Sequence, residues 1–381
     1  MRRGLIAAAV AVFASAAVVT AAVARPTQPA AAEQVAECTN VSLGDVGPLT
    51  GPAAFLGNEQ LSWLKFAVSK YNKENGTKFK VAQGDTQLKA PVARTVARKF
   101  VADKSIMAII GPSESQAVIA GAGLFEKAAL AAVSESATRV DLTNGQFKTF
   151  FRIIPHDGIQ VPTVVRFVAE KLKAKHVVVI DSQDDYSKAI AGPMTRGFRA
   201  RGIDVDRESV AATDTDFSSI VANVANDVSV VVFATQVASG ANTLSQQLRE
   251  QGKKAVVFGT DGAYSPAEYK PKLGYVSAFA PDLHFDPKAR AIIREYNAFS
   301  KNRTFGTFGP PAYMAGWVAM TAITKACADG KATRAEVTKF VRQTNIPSII
   351  GDNIRFTAKG DVRGATFAVF KVTNGKYSVA S

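Results

Sequence analysis

From residue 41 onward, short apolar segments alternate with longer amphipathic segments, and this alternation restricts the fold more than any other feature of the sequence. Segment 106–110 (Ile-Met-Ala-Ile-Ile) is a continuous apolar run that ends at Gly111-Pro112, which is typical of a buried strand. Segment 116–128 then has the small and apolar residues of a packed helix. Repeated strand-helix alternation predicts an α/β fold with a mostly parallel sheet and helices on both faces.

The same alternation runs along most of the chain, in two blocks that predict two α/β lobes, the second of which begins after 150–154. The predicted strands are 41–46, 79–84, 106–110, 131–133, 176–181, 228–234 and 255–259. The predicted helices are 60–75, 90–103, 116–128, 159–172, 187–201, 217–226, 241–251, 287–301, 311–328 and 334–344. The chain ends with predicted antiparallel strands at 349–356, 366–372 and 377–379.

The amino terminus has the pattern of an export signal. Two arginines precede an apolar run at 5–23, and small residues at 22–24 offer a cleavage site. We assign 1–32 to a signal peptide and the start of a flexible leader, and 33–37 to the rest of the leader, which predicts a periplasmic or cell-surface protein. An uncleaved membrane anchor is the alternative. Lipid attachment to Cys38 is disfavoured, because Glu37 precedes it and the apolar run ends far upstream.

Cysteine content and charge restrict the function further. Cys38 and Cys327 are the two cysteines, and in an oxidising compartment a single disulfide is the natural pairing. The formal net charge of +14 comes from Lys and Arg that are spread along the chain among acids, without interleaved aromatic residues. This pattern indicates a solvated basic surface and argues against a nucleic-acid partner.

Hydroxyl side chains follow two of the predicted strands in the first lobe. Ser113 and Ser115 lie between strand 106–110 and the next helix, where they could cap the helix or help to hold an anion. Segment 134–138 (Ser-Glu-Ser-Ala-Thr) follows the next strand, and ligands of open α/β sheets bind beyond the carboxyl ends of the strands. In the second lobe, Asp261 follows strand 255–259 and could meet a cation. Together these positions predict a site for a zwitterion.

Signs of catalysis are weak. His156, His176 and His284 are far apart and lack the spacing of a metal site, and we expect structural roles for them. The sequence has no nucleophile elbow, P-loop or dinucleotide fingerprint. We therefore predict a protein that is not an enzyme and needs no cofactor or metal, with an α/β hydrolase as an alternative.

The order and spacing of several short segments resemble the branched-chain amino-acid binding family, the type I periplasmic binding proteins of ATP-driven (ABC) importers. The resemblance extends from about Val41 to Val372. The segments that carry it are Gly44, Leu49-Thr50-Gly51-Pro52, Gly57, Asp85-Thr86, Ile109-Ile110-Gly111-Pro112, Ser134 to Thr138, Phe151-Arg152, Asp181 with Tyr186, Gly259-Thr260-Asp261-Gly262 and Gly360-Asp361.

The resemblance implies a ligand site between the lobes. It places the ligand carboxylate at Ser115 and Thr138, and the ligand ammonium at the backbone carbonyl of Ser136 and at Asp261. The remaining positions that it implies for the pocket are Leu56, Ser113, Glu114, Ala137, Tyr186, Gln236 and Phe308.

Two positions depart from the family pattern and bear on the ligand's side chain. Asp261 is one methylene shorter than the usual glutamate, and Ser113-Glu114 replace apolar or small residues. If Glu114 points inward it favours a polar or cationic side chain, and the alternative is a solvated loop acid. The ligand is therefore expected to be an amino acid or a similar small zwitterion.

The resemblance also implies two Rossmann-like lobes joined by a three-stranded hinge. Lobe 1 would comprise 38–155 and 285–349, and lobe 2 would comprise 156–284 and 350–381, with hinge closure as the working motion. In this arrangement Cys38 and Cys327 lie at the same pole of lobe 1, which predicts their disulfide. We expect a monomer that delivers its ligand to an ABC permease, or alternatively a sensor of the same fold that reports to a signalling partner.

Overall fold

The computed structural model describes Met1 and residues 35–300 and 304–380. The predicted signal peptide and all but the end of the predicted leader fall at 2–34, outside the described residues. None of the helices within 35–300 and 304–380 has the length and apolar character needed to span a membrane.

The first sheet is formed by the amino-terminal block and is parallel throughout. Its strands, in chain order, are β2 (Ser42–Gly47), β3 (Lys80–Asp85), β4 (Ile106–Ile110), β5 (Ala132–Ser134) and β6 (Phe150–Arg152). In space the order is β3-β2-β4-β5-β6. The helices between them are α1 (Ala54–Asn75), α2 (Ala90–Ala102) and α3 (Ser115–Lys127). Every residue of β4 is buried, as its continuous apolar run predicts.

The second sheet is mixed. It has the order β14-β13-β11-β10-β9-β7-β8, and only the β11-β13 and β13-β14 pairs are antiparallel. Its strands are β7 (His176–Asp181), β8 (Asp204–Ser209), β9 (Val230–Ala234), β10 (Val256–Gly259), β11 (Leu273–Ala280), β13 (Thr366–Thr373) and β14 (Lys376–Val379). The helices packed with it are α4 (Asp157–Glu170), α5 (Asp185–Arg199), α6 (Ser218–Asn223) and α7 (Ala238–Glu250).

Three later helices return to the first sheet. They are α8 (Arg290–Ser300), α9 (Gly309–Ala326) and α10 (Arg334–Arg342). Tyr296, Ile323 and Val337 from these helices share one hydrophobic core with Leu43 and Val133 of the first sheet. The short 3-10 turns are Val140–Thr143, Asp261–Ala263, Leu283–Phe285, Pro287–Ala289 and Cys327–Asp329.

The predicted disulfide is present and lies beside a small antiparallel pair. β1 (Val35–Glu37) pairs with β12 (Lys331–Thr333), which follows α9. Cys38 and Cys327 are bonded, with their Cα atoms 5.9 Å apart. The bond ties the amino terminus of the described chain to the carboxyl end of α9.

The structure differs from the predicted elements at several places. The predicted strand at 349–356 is wrong, because this segment makes only isolated bridges, Ile346 with Ile354 and Phe356 with Val362. β8 was not predicted because it is an edge strand of mostly polar, partly exposed residues. Helix α1 begins at Ala54, ahead of the predicted start at 60, so Leu56 lies within it.

Candidate functional site

The carboxyl ends of β4 and β5 are neighbours in the first sheet, and the residues that follow them are buried. Ser113 and Ser115 follow β4, whereas Ser136 and Thr138 follow β5. The Ser136 hydroxyl donates to the carbonyl oxygen of Ser113 at 2.7 Å and accepts from the Nε2 of Gln60 at 2.8 Å. The two segments that the sequence singles out therefore form one connected group.

Two features of this group suit an anion. Helix α3 begins at Ser115 and has no side-chain cap, so the first-turn N-H groups and the positive end of the helix dipole face outward from its start. The Ser115 hydroxyl accepts from the backbone N-H of Arg139 at 3.4 Å. The Thr138 hydroxyl is fully buried and has no partner in full hydrogen-bond geometry among the described residues, the carboxyl group of Asp157 being its polar neighbour. A carboxylate could accept from both.

Asp261 is the centre of the group on the second sheet, just beyond β10. Its Oδ1 accepts from the Tyr186 hydroxyl at 2.6 Å and from Gln160 Nε2 at 2.7 Å. Burial raises the pKa of Asp261 to about 6, while the hydrogen bonds from Tyr186 and Gln160 oppose the rise. Tyr186 and Asp261, which were predicted separately, are thus direct partners.

Asp157 is a second acid at this position, and no sequence pattern predicts it. It begins α4, one helical turn before Gln160, and its backbone N-H donates to the carbonyl oxygen of Thr138 at 2.8 Å. Only 3% of the residue is exposed, and neither carboxyl oxygen has a partner in full hydrogen-bond geometry among the described residues, although the Thr138 hydroxyl lies close enough to interact with it. Burial, followed by the nearby charge of Asp261, raises the pKa of Asp157 to about 8, while the Thr138 hydroxyl opposes the rise.

Side chains from the two sheets meet directly around these acids. Gln116 Nε2, in the first turn of α3, donates to Gln236 Oε1 at 2.9 Å. Gln236 packs against Gly262, where a Cβ would lie 2.9 Å from the Gln236 Cα, so only glycine allows this approach. Because Gly262 adjoins Asp261, the contacts lead from α3 through Gln236 and Asp261 to Asp157. The site is therefore a ring of buried polar residues with members from both sheets.

Leu56 and Phe308 form an apolar contact between the two halves. Leu56 and Phe308, from elements that otherwise pack on the first sheet, belong to the hydrophobic core of the second sheet. The Phe308 ring contacts Phe55 and Phe279, with centroids 6.2 and 5.7 Å apart. These two predicted pocket positions therefore connect the halves through apolar contact.

The other predicted positions contribute in different ways. Ala137 is buried in a hydrophobic core, and its carbonyl oxygen accepts from Arg152 Nη1 at 3.2 Å. Ser113 Oγ donates to Glu135 Oε1 at 2.7 Å. Glu114 is fully buried and accepts from the Thr86 hydroxyl, so its interpretation as a solvated loop acid is wrong.

The histidines lie apart from the ring or touch it only through the backbone. His156 Nδ1 accepts from Gly158 N-H at 3.1 Å, and His176 lies between Asp206 and Asp227 at 2.9 and 3.0 Å. Across 35–300 and 304–380, no cluster of three or more His, Cys, Asp or Glu side chains could hold a metal ion.

Comparison with known proteins agrees with this architecture. Residues 40–376 match the family described as periplasmic binding protein. A leucine-, isoleucine-, valine-, threonine- and alanine-binding protein of Pseudomonas aeruginosa is 26% identical over 339 residues, which cover 87% of this chain and 89% of the relative. A Leu/Ile/Val-binding protein homolog of Brucella melitensis is 28% identical over 349 residues, covering 88% of this chain and 92% of the relative.

A solved structure shares the fold. The substrate-binding protein of a branched-chain amino acid transporter from Streptococcus pneumoniae, in complex with isoleucine, superimposes with a TM-score of 0.79. It is 23% identical in sequence, and the match covers 90% of this chain and 99% of that one. Together with the family match over residues 40–376, these results show that the chain belongs to the periplasmic binding protein family and has its two-sheet α/β fold.

Proposed function

We propose that this protein is an extracytoplasmic receptor that captures an α-amino acid between its two sheets and delivers it to the permease of an ABC importer. The buried polar ring carries the proposal, because it combines anion-binding groups on one sheet with two acids on the other. The names of the relatives support the ligand class, since they bind branched-chain and other small amino acids. The solved Streptococcus pneumoniae structure is that of a transporter's substrate-binding protein, which supports the permease as partner.

In this proposal Asp261 and Asp157 receive the ligand's ammonium group. An ammonium donates three hydrogen bonds, and the carboxyl group of Asp157 lies close enough to Asp261 for the charge of Asp261 to raise the pKa of Asp157. A cation placed between two acids favours the ionised form of each. Tyr186 then holds the Asp261 carboxylate in position.

The ligand's carboxylate would lie beside these acids, at the start of α3. The uncapped start of α3 offers N-H groups at Ser115, and the Thr138 hydroxyl has a proton to donate. The Asp157 backbone N-H donates to the Thr138 carbonyl oxygen at 2.8 Å, so the carboxylate side and the acids are adjacent. The carboxylate and ammonium groups of an α-amino acid are likewise adjacent.

We infer that the two sheets belong to two lobes that close over the ligand. Lobe 1 would take 38–155 and 285–349, and lobe 2 would take 156–284 and the end of the chain. Arg152 binds Asp361 at 2.6 Å and the Phe151 ring contacts Phe356. These contacts hold 356–361 on the first sheet, and they favour a last crossing between the lobes near 363–366, later than the predicted lobe boundary at 349–350.

The remaining elements of the proposal concern location and assembly. We propose that the chain is exported by its amino-terminal signal and works as a monomer outside the cytoplasmic membrane. The spread of its basic residues gives no reason to add a nucleic-acid partner.

Isothermal titration calorimetry on the mature protein, first freed of bound ligand by unfolding and dialysis, tests the proposal. The best ligand in a panel of L-amino acids is compared with its 2-hydroxy acid, which lacks the ammonium, and its amide, which lacks the carboxylate. We expect both analogues to bind at least roughly 30-fold more weakly. Asp261→Asn should cause a similar loss, whereas Asp204→Asn, at an exposed edge strand, should not. Wild-type affinity in Asp261→Asn would refute the site.

A further inference from the structure

A second group of buried acids lies beside the ring, on the first sheet. We propose that Asp45, Glu114 and Glu135 form a subsite for a cationic group of the ligand's side chain, so that the receptor prefers an amino acid with a guanidinium or ammonium group. This inference rests on the proposed capture of an α-amino acid and adds the class of side chain.

The three acids come from three adjacent parts of the same sheet edge. Asp45 lies in β2, two residues after Leu43, and the two side chains therefore point to the same face of the sheet. The Leu43 side chain packs in the core shared with α1 and α9. Glu114 follows β4 and accepts from Thr86, at the end of β3. Glu135 follows β5 and accepts from Ser113 Oγ.

These acids are close enough for each to act on another. Burial is the main cause that raises the pKa of Asp45 to about 7 and of Glu114 and Glu135 to about 8. In addition, the charge of Glu114 acts on Asp45, that of Glu135 on Glu114, and that of Asp45 on Glu135. Among the main influences on these three pKa values in the described chain there is one cation, Lys65, which lowers the pKa of Asp45. Lys65 is exposed on α1. The cluster therefore lacks a buried positive partner among the described residues.

Each acid has one buried oxygen without a hydrogen-bond partner in the described chain: Asp45 Oδ2, Glu114 Oε2 and Glu135 Oε2. Buried polar atoms are nearly always hydrogen-bonded, so three such atoms in one cluster are unusual. A ligand that donates N-H groups there would satisfy all three.

Gln60 supplies an independent sign of a ligand at this place. It is 1% exposed, and its Oε1 is also unpartnered. The orientation of its amide group is fixed. The Ser136 hydroxyl donates its proton to the carbonyl oxygen of Ser113, so it can only accept from Gln60, which must present Nε2 to it. Gln60 Oε1 and Ser113 Oγ both lie beside Gly47. A Cβ atom added to Gly47 would be 3.8 Å from Gln60 Oε1 and 2.8 Å from Ser113 Oγ. Gln60 thus directs an acceptor toward the residue that binds Glu135.

The number of acceptors indicates the chemistry of the group. Four unpartnered oxygens are available, three of them on carboxyl groups. A primary amide donates two hydrogen bonds and carries no charge, an ammonium donates three, and a guanidinium donates five in a planar fork. A cationic group therefore matches the cluster in both charge and donor number, and a neutral amide does not.

The cluster is also placed to receive a side chain. Glu114 directly precedes Ser115, which belongs to the proposed carboxylate side of the ring. Gln60 and Ser136 connect the ring with Ser113 at the cluster. A ligand held by its α-carboxylate and α-ammonium would therefore extend its side chain over a few bonds to reach the acids.

The test uses pairs of ligands that differ only in this group. L-arginine is compared with L-citrulline, and L-lysine with L-norleucine, by calorimetry on the ligand-free wild-type protein at about pH 7 in two buffers of different ionisation enthalpy. We expect each cation to bind at least roughly tenfold more tightly than its neutral partner. Binding of the cation should also release protons, because it favours the ionised acids, and citrulline should release fewer.

Glu114→Gln and Glu135→Gln provide the matched variants. Each should reduce the ratio of arginine to citrulline affinity and the proton release, while Asp204→Asn should leave both unchanged. The wild-type comparison needs no variant to fold. Equal or tighter binding of norleucine or citrulline would overturn this inference and leave the proposed function intact. If no α-amino acid binds the wild type, the proposed function fails together with it.

Discussion

Replacing Glu114 by glutamine would show whether this buried carboxyl keeps its proton in the folded protein. Glutamine has nearly the shape of a protonated glutamic acid but cannot ionise. Burial raises the pKa of Glu114 from 4.5 to about 8. The folded chain therefore keeps a proton that the unfolded chain releases above about pH 4.5, and the free energy of unfolding falls as pH rises from there toward about 8.

The size of the effect follows from these two pKa values. Between about pH 5 and about pH 7.5, linkage gives a loss of at most about 3 kcal/mol in wild-type stability from Glu114 alone. Glu114→Gln has no such titration. The difference in unfolding free energy between variant and wild type should therefore shift by up to about 3 kcal/mol in favour of the variant over this range.

Urea unfolding of ligand-free protein at the two pH values measures this shift. Acids other than Glu114 titrate in both proteins, so their contributions cancel in the comparison to first order. Asp204→Asn serves as the control, because its side chain is exposed, and it should follow the wild type at both pH values. An equal pH dependence in Glu114→Gln and the wild type would show that Glu114 is already ionised in the folded state, and would refute the reasoning.

Three further changes test other parts of the structure. Cys38→Ser opens a loop with a sequence separation of 289 and should lower the unfolding free energy by on the order of 5 kcal/mol in urea; no change would show that the disulfide is dispensable. Arg152→Met removes a buried guanidinium that binds Asp361 and backbone carbonyls, and it should cost roughly 3 to 5 kcal/mol, against well under 1 for an exposed arginine. Tyr186→Phe should weaken amino-acid binding about tenfold without a comparable loss of stability, and unchanged affinity would remove Tyr186 from the site.

Much of the fold was predictable because apolar segments carry a strong signal. The buried run of β4 and the alternation around it predict a parallel sheet, and the structure has one. The errors at β8 and at 349–356 fall where burial is partial or the backbone irregular, whereas β11 was also not predicted although most of it is buried. β8 is polar because it lies at a sheet edge. The isoleucine-rich segment at 349–356 resembles a strand, but Gly351 has a φ of +119° and the pairing is limited to single bridges.

The site was predictable only where a residue follows a strand or matches the family resemblance. Ser115, Thr138 and Asp261 satisfy one or both conditions. Asp157 was missed because an acid in the first turn of a helix is ordinarily a dipole-compensating surface residue, and the predicted helix began at 159. The burial of Asp45 was also missed, since no periodic pattern distinguishes a buried acid from a solvated one.

The buried acids are not all of one kind, and the contrast between them supports a ligand. Glu59 is half-buried, and burial of its carboxyl group raises its pKa to about 7, but its oxygens accept from the backbone N-H groups of Gly306, Phe308 and Gly309 at 2.6 to 3.0 Å. Those bonds explain Glu59 as a structural acid that holds the start of α9.

Asp157 and the cluster of Asp45, Glu114 and Glu135 lack such partners for one or both carboxyl oxygens. If stability were their only role, apolar residues of similar size would serve as well or better. Departures from that rule are expected at functional sites. The described chain supplies donors to both oxygens of Glu59 but leaves at least one buried oxygen of each of these four acids without a well-placed donor, so we assign the missing donors to the molecule that the receptor binds.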